Sequence, residues 1–209
     1  MTTPDVRPSR QREILDLAAE LFARRGYHNV SVKDIGEAVG ISGPALYKHF
    51  SSKNEILVQL FEGAADGLLR QAQDITSATV HAPAALAALV HNHVAFALAH
   101  RWLIALFAQE SQNLPTAAGR RNRLSQRRYI GEWIHTLGEC RPELAEYEAR
   151  EMVLAAMAVI HSSGGYRSGL PDHRRALLIE RLALAVLEAP LTDCNRSPLP
   201  ATPKQDERA

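Results

Sequence analysis

The sequence predicts an all-α protein of about nine helices. Three short helices stand at the N-terminus, and a fourth joins them to a larger helical body. Three observations carry this. Apolar residues recur at three- and four-residue spacing in one segment after another, which lines them along one face of a helix. No segment alternates with period two over a useful length, and β-branched residues are scattered. Gly, Pro and Ser separate the periodic segments where helices start and stop.

In the first helix Ile14, Leu15, Ala18, Leu21 and Phe22 form the inward face. Ser9 is its expected cap, and Gly26 ends it after Arg24 and Arg25, cations that suit a helix C-terminus. Tyr27–Val30 is a connector. Ser31 then caps a second helix with Asp34 as an early acid, with Val32, Ile35, Ala38 and Val39 expected inward and Gly40 as the stop. Ser42 caps the third, Pro44 sits in its first turn, and Leu46 and Phe50, four apart, anchor it inward. Ala45, Tyr47, Lys48 and His49 remain on a polar face, so this small rigid helix suits a groove of DNA. Ser52 and Glu55 form a capping-box pattern before a long fourth helix reaching about Ile75.

Pro83 opens a fifth helix to about His100, apolar around its circumference and so expected to be largely buried. Trp102–Glu110 is a sixth, broken by Asn113-Leu114-Pro115. Thr116 caps a seventh to Leu137, ended by Gly138. Glu143–Ser163 is the eighth, Gly164–Pro171 a loop, and Asp172–Glu188 the ninth. Residues 190–209 hold Pro, Thr, Ser and charges, and are expected to form a mobile tail.

The chain has 209 residues, 46% of them apolar, which suffices for a sizeable core. A formal net charge of +1 argues against a polyanion binder that works by bulk charge, but leaves room for DNA contact through a few placed cations. Cys140 and Cys194 are far apart and make no disulfide framework or metal pair, consistent with a reducing cytoplasm. The polar, basic start does not suggest a signal peptide, and no stretch reaches the roughly 20 apolar residues of a membrane span. Ala82–Ala99 and Met152–Ser162 are read as core helices instead. His91 and His93 diverge on their helix; His93 and His100 share a face without an acid or Cys beside them, so neither metal nor cofactor is expected. No nucleophile–base set, paired acids or metal cluster argues for an enzyme.

From Gly26 to Leu57 the chain resembles the TetR family of transcriptional regulators. The resemblance rests on Gly26-Tyr27, Ser31–Ile35, Ala38–Ser42, Leu46–Phe50 and Ser52–Leu57, and covers roughly residues 10–60. Val30 and Pro44 depart from the usual pattern. The resemblance implies a helix-turn-helix domain over 9–53, a ligand-binding and dimerisation domain over 54–189, and a homodimer on a palindromic operator. It implies a repressor released by a small hydrophobic or amphiphilic effector, the alternative being an activator or a DNA-binding protein without a working pocket.

In a helix-turn-helix the second helix enters the major groove, so Ser42, Ala45 and Lys48 are expected to face DNA. By resemblance Tyr47 and His49 meet phosphates and Lys53 holds the backbone, and the helix start at Ser31 can offer N–H groups. Lys33, Gly43 and Pro44 complete the candidate DNA-facing set. In the body, Met152, Ala155, Ala156, Val159 and Ile160 of the eighth helix allow close helix approach. So do Leu177, Leu178, Leu182, Ala185 and Val186 of the ninth, and the resemblance makes these two helices the dimer interface. Phe96, His100, Trp102, Phe107, Gln109 and Tyr129, with Trp133, Met157, His161 and Tyr166, are candidate pocket residues, apolar walls with a few polar groups. Arg120, Arg121, Arg123, Arg127 and Arg128 crowd the seventh helix. A solvated face is the default reading of that cluster. With Arg128 on a pocket rim, a cationic edge would instead suit an amphiphile with a charged head. The resemblance to relatives with a similar segment (Phe107 to Pro115, then arginines up to Tyr129 and Trp133) implies an acyl-CoA thioester.

Overall fold

The computed structural model describes residues 10–111, 114–162 and 169–191. The expected cap Ser9, Asn113, Tyr166 with most of its loop, and the tail from 192 with Cys194 lie outside the described residues. Those described are helical, with no strand among them. The order is α1 Arg10–Arg25, a 3-10 turn Tyr27–Asn29, α2 Val32–Val39, α3 Gly43–Leu46 and α4 Lys53–Ala78. Then come α5 Ala82–Ala99, α6 Arg101–Glu110, α7 Thr116–Cys140, α8 Glu146–His161 and α9 Asp172–Glu188.

Several boundaries differ from the sequence expectation, each for a local reason. α7 runs through Gly138 to Cys140. A helical glycine costs only about 1 kcal/mol, so Gly138 weakens the helix without ending it, and partly buried Cys140 packs against the second core beyond it. Thr116 is the first helical residue of α7, and Pro115 takes the cap position. α8 starts at Glu146, where the Glu148 carboxylate accepts from the Ala145 amide at 2.8 Å, and Arg141 ties the preceding turn to the end of α9 by donating to the carbonyls of Leu187 (3.1 Å) and Ala189 (2.9 Å). The Ser52–Glu55 capping box is half formed. Ser52 accepts from the Glu55 amide at 3.1 Å, but the Glu55 carboxylate takes the amide and hydroxyl of Ser51 instead. Ala38 is exposed rather than inward.

The helices build two cores. The first joins α1, α2 and α3 to the start of α4 (Ile56, Leu57, Leu60, Phe61), to Leu106 of α6 and to Leu114. The second joins the far half of α4 (Leu68, Leu69, Ala72) to α5, α7, α8 and α9. Residues 53 and 54 therefore do not divide the packing: α4 passes from one core into the other. α5 meets the length and composition of a membrane span, yet Leu86, Leu89, Val90, Val94 and Ala97 are buried in the second core. α4 and α7 lie side by side in parallel, tied by Glu62 to Arg121, Asp66 to Ser125 and Thr76 to Glu132.

Candidate functional site

The turn between α2 and α3 is closed by two glycines. Gly40 adopts φ 75°, ψ 33°, a left-handed conformation that favours a residue without Cβ. The Ile41 amide donates to the Gly36 carbonyl at 2.8 Å, and a Cβ on Gly36 would stand 2.8 Å from the Ile41 oxygen. Ser31 caps α2, accepting from the Asp34 amide at 3.1 Å while its own amide donates to the Asp34 carboxylate at 2.7 Å. The Ser31 hydroxyl donates to the same carboxylate, and these two Ser31 donors, the hydroxyl first, hold the Asp34 carboxyl below its ordinary range. Ser42 caps α3 through the Ala45 amide at 3.3 Å.

Leu46 and Phe50 are buried at 1% and 2% exposure. That orients the opposite side of the element outward: Ser42, Pro44, Tyr47, Lys48 and His49 are exposed, and Gly43 and Ala45 half-buried. The α-helical part is shorter than expected. It ends at Leu46, and Tyr47–Phe50 continue as tighter turns in which the amides of Lys48 and His49 donate three residues back. A Ser hydroxyl that accepts from the backbone still has a proton to donate, and Lys48 makes no ion pair among the described residues. Lys33 is 83% exposed beside Glu37, 3.6 Å away.

Lys53 is partly committed inside the molecule. Its ammonium donates to the carbonyls of Tyr27 (2.8 Å) and Val30 (2.9 Å) and lies 4.3 Å from the centre of the Tyr27 ring. An ammonium has three donors, so one remains for a phosphate. Val30, where the sequence departs from the usual Thr or Ser, is buried at 1% exposure.

The ten candidate pocket and rim residues among the described ones, Tyr166 aside, are not all brought together. Phe96, Tyr129, Trp133 and His161 gather around His93, which is not among the candidates, and Met157 lies in the same second core. The Tyr129 hydroxyl is 2.9 Å from His93 Nδ1, and His93 Nε2 is 2.9 Å from His161 Nε2. Two imidazoles sharing a short N···N contact cannot both be doubly protonated. Burial and the neighbouring His161 push His93 down to about 3; burial pushes His161 down and the Tyr129 phenol up. Trp133 Nε1 is buried without a hydrogen-bond partner.

The other candidates lie elsewhere. Trp102 bridges α6 and α1, with the guanidinium groups of Arg101 and Arg24 4.6 and 4.7 Å from its ring centre. Phe107 packs edge-on against Phe61 in the first core, at 5.1 Å. His100 lies tilted against Phe96 at 4.8 Å but opens toward α1. Gln109 and Arg128 are exposed. Of the α7 arginines, Arg121 pairs with Glu62 at 2.7 Å, an acid supplied by α4 that spacing along α7 could not show. Arg120, Arg123, Arg127 and Arg128 are exposed and make no ion pair among the described residues.

On the far side of the second core α8 and α9 present an apolar face. Leu154, Ala155 and Ala158 of α8 are exposed, as are Leu177, Leu178, Leu182 and Ala185 of α9. Met152, Ala156 and Ile160, expected at that face, are buried in the chain's own core instead.

Residues 14–60 match the family model described as bacterial regulatory proteins, tetR family. The chain is 32% identical over 134 residues to the HTH-type transcriptional repressor KstR2 of Mycobacterium tuberculosis. That match covers 63% of this chain and 66% of the relative. The KstR2 of Rhodococcus jostii is 34% identical over 105 residues, 50% of this chain and 52% of that protein. The chain thus spans just under two thirds of one curated relative's length and about half of the other's. Among solved structures, the ketosteroid transcriptional regulator KstR2 of Mycobacterium tuberculosis superposes with a TM-score of 0.74 at 26% identity, covering 87% of this chain and 94% of that one. AibR in complex with isovaleryl coenzyme A and operator DNA shares the fold, with a TM-score of 0.69 at 16% identity over 83% of this chain and 97% of its own.

Proposed function

The chain belongs to the TetR family of transcriptional regulators, and on that premise we propose that it is a repressor. It binds a palindromic DNA operator as a homodimer in the cytoplasm, and a small hydrophobic or amphiphilic effector releases it. The observation that carries this is the exposed set Ser42, Tyr47, Lys48 and His49 on an element whose other side is fixed by Leu46 and Phe50. A reader of the major groove has to present base- and phosphate-seeking groups on a support that does not move. Ser42 and Lys48, with Ala45 between them, face the base edges, while Tyr47, His49 and the spare donor of Lys53 meet phosphates. Ser31, Lys33, Gly43 and Pro44 border that contact. The exposed apolar faces of α8 and α9 pair two chains about a two-fold axis, which sets the half-site spacing.

An acyl-CoA thioester is the effector class we favour. Two features support it: the unpaired guanidinium groups of α7, suited to phosphates, and the apolar second core with its polar His93 centre. AibR, with the same fold, is a complex with isovaleryl coenzyme A. The test begins with selection of bound genomic fragments, followed by gel shifts on the operator recovered. Tyr47→Ala and Lys48→Ala should each weaken binding about tenfold with an unchanged melting temperature, and acyl-CoA should release the wild type. Unchanged affinity in both variants would sink the DNA assignment, and no release by any acyl-CoA would sink the effector class.

A further inference from the structure

A cleft of about 420 Å³ opens where the two cores meet, within the range of small-molecule sites. Leu15 of α1, Leu60 and Leu68 of α4, Phe96 of α5 and Leu103 of α6 supply its apolar walls. Leu60 belongs to the first core and Leu68 to the second, so the cleft spans the seam between them. Over the intervening turns of α4 there is open space: a Cβ on Gly63 or Gly67 would meet nothing within 4 Å. Each helical glycine also costs about 1 kcal/mol relative to alanine, so two of them weaken α4 where it changes cores. A molecule lodged there touches α1 of the DNA-binding head and α5 of the body at once, and so sets the angle between them.

The charges around the cleft narrow the occupant. Arg12 and Arg70 are balanced by Asp16 and Asp74, and His100 completes the rim. Four charges summing to zero leave a nucleotide or other polyphosphate without compensation. Arg70 is exposed and makes no ion pair among the described residues, and a guanidinium fork matches a single carboxylate. We propose that this cleft is a ligand site distinct from the His93 centre, and that it takes a monocarboxylate amphiphile. The apolar body lies over Gly63 and Gly67 against Phe96 and Leu103, and the carboxylate sits at Arg70. The inference rests on the regulator reading in one respect, that the head's placement sets operator affinity.

Decanoate is the probe. Isothermal titration should show it binding the wild type, and gel shifts should show it raising the operator Kd at least fivefold. Gly67→Leu fills the open space with a better helix former and should weaken decanoate binding more than tenfold, leaving the decanoate-free operator Kd within twofold. Gly63→Leu provides the same test from one turn away, and Arg70→Gln should weaken decanoate binding about fivefold. Calorimetry reads the site even if no operator is bound, so loss of the DNA reading stays separate from loss of this one. Wild-type protein that ignores decanoate, or Gly67→Leu and Gly63→Leu proteins that bind it as well as wild type, would overturn the proposal.

Discussion

Gly36 illustrates how a single missing Cβ positions a DNA reader. Its carbonyl accepts from the Ile41 amide at 2.8 Å, and the Ile41 oxygen stands only 2.8 Å from where a Cβ would be. The clash is with backbone, which cannot rotate out of the way, so Gly36→Ala must push α2 and the turn apart. We expect a melting temperature lower by several degrees, corresponding to about 1–3 kcal/mol of overpacking. Operator affinity should fall further than stability alone explains, because α3 is re-aimed. A thermal melt and a gel shift on the same preparation check this, and an unchanged melt would remove the steric argument. Gly40, at the left-handed helix end, was legible as a stop. Gly36 had only a weak signal, a glycine inside a periodic segment, because the atom it avoids belongs to a turn whose path the sequence does not state. Lys53 was legible as a cation beside the reader, but its carbonyl partners 23 and 26 residues earlier were not.

At the scale of elements, local chemistry was readable and contacts across helices were not. α9 occupies Asp172–Glu188, as its periodicity and the flanking Pro171 and Pro190 suggest. Which α8 residues face outward was only partly readable, since small apolar residues surround that helix: Ala155 points out while Ala156 packs inside. The candidate pocket residues divide between the two cores, because composition does not say to which core a helix carries its aromatics. Trp102 and Phe107 are as aromatic as Tyr129 and Trp133, yet α6 carries them to the head. The outward stripe of α9 yields a clean test. Leu178 and Leu182 are 47% and 49% exposed, while Ile179 between them is 8% exposed. Leu178→Glu with Leu182→Glu should give a monomer by sedimentation, with unchanged helical signal and operator binding weakened more than tenfold. Ile179→Glu should instead unfold the chain, because it buries an unpaired charge. A double variant that still sediments as a dimer would place the interface elsewhere.

For the whole molecule, stability is tied to pH through histidines that only the folded arrangement brings together. His93 and His161 are 68 residues apart, so no local pattern announces their 2.9 Å contact or the Tyr129 hydroxyl that completes the chain. With His93 down at about 3, the unfolded chain takes up a proton near its ordinary value, about 6.5, that the folded chain refuses. Below about pH 6.5 the unfolded state therefore binds more protons, and stability falls as pH falls. The loss stops only as pH nears the folded value. His93 alone supplies a slope of up to about 1.4 kcal/mol per pH unit. His161 and His100, both lowered by burial, act with the same sign. Asp34 and Glu55, held low by their cap hydrogen bonds, also lose stability on acidification, but only below the ordinary carboxylate range near pH 4. The interval from pH 6.5 to 5 thus isolates the histidines. Urea unfolding should show the wild type losing on the order of 2 kcal/mol across it. His93→Leu combined with Tyr129→Phe, which leaves no hydroxyl unpaired, should lose markedly less. Parallel pH profiles for the two proteins would show that the buried histidine is not the group being titrated.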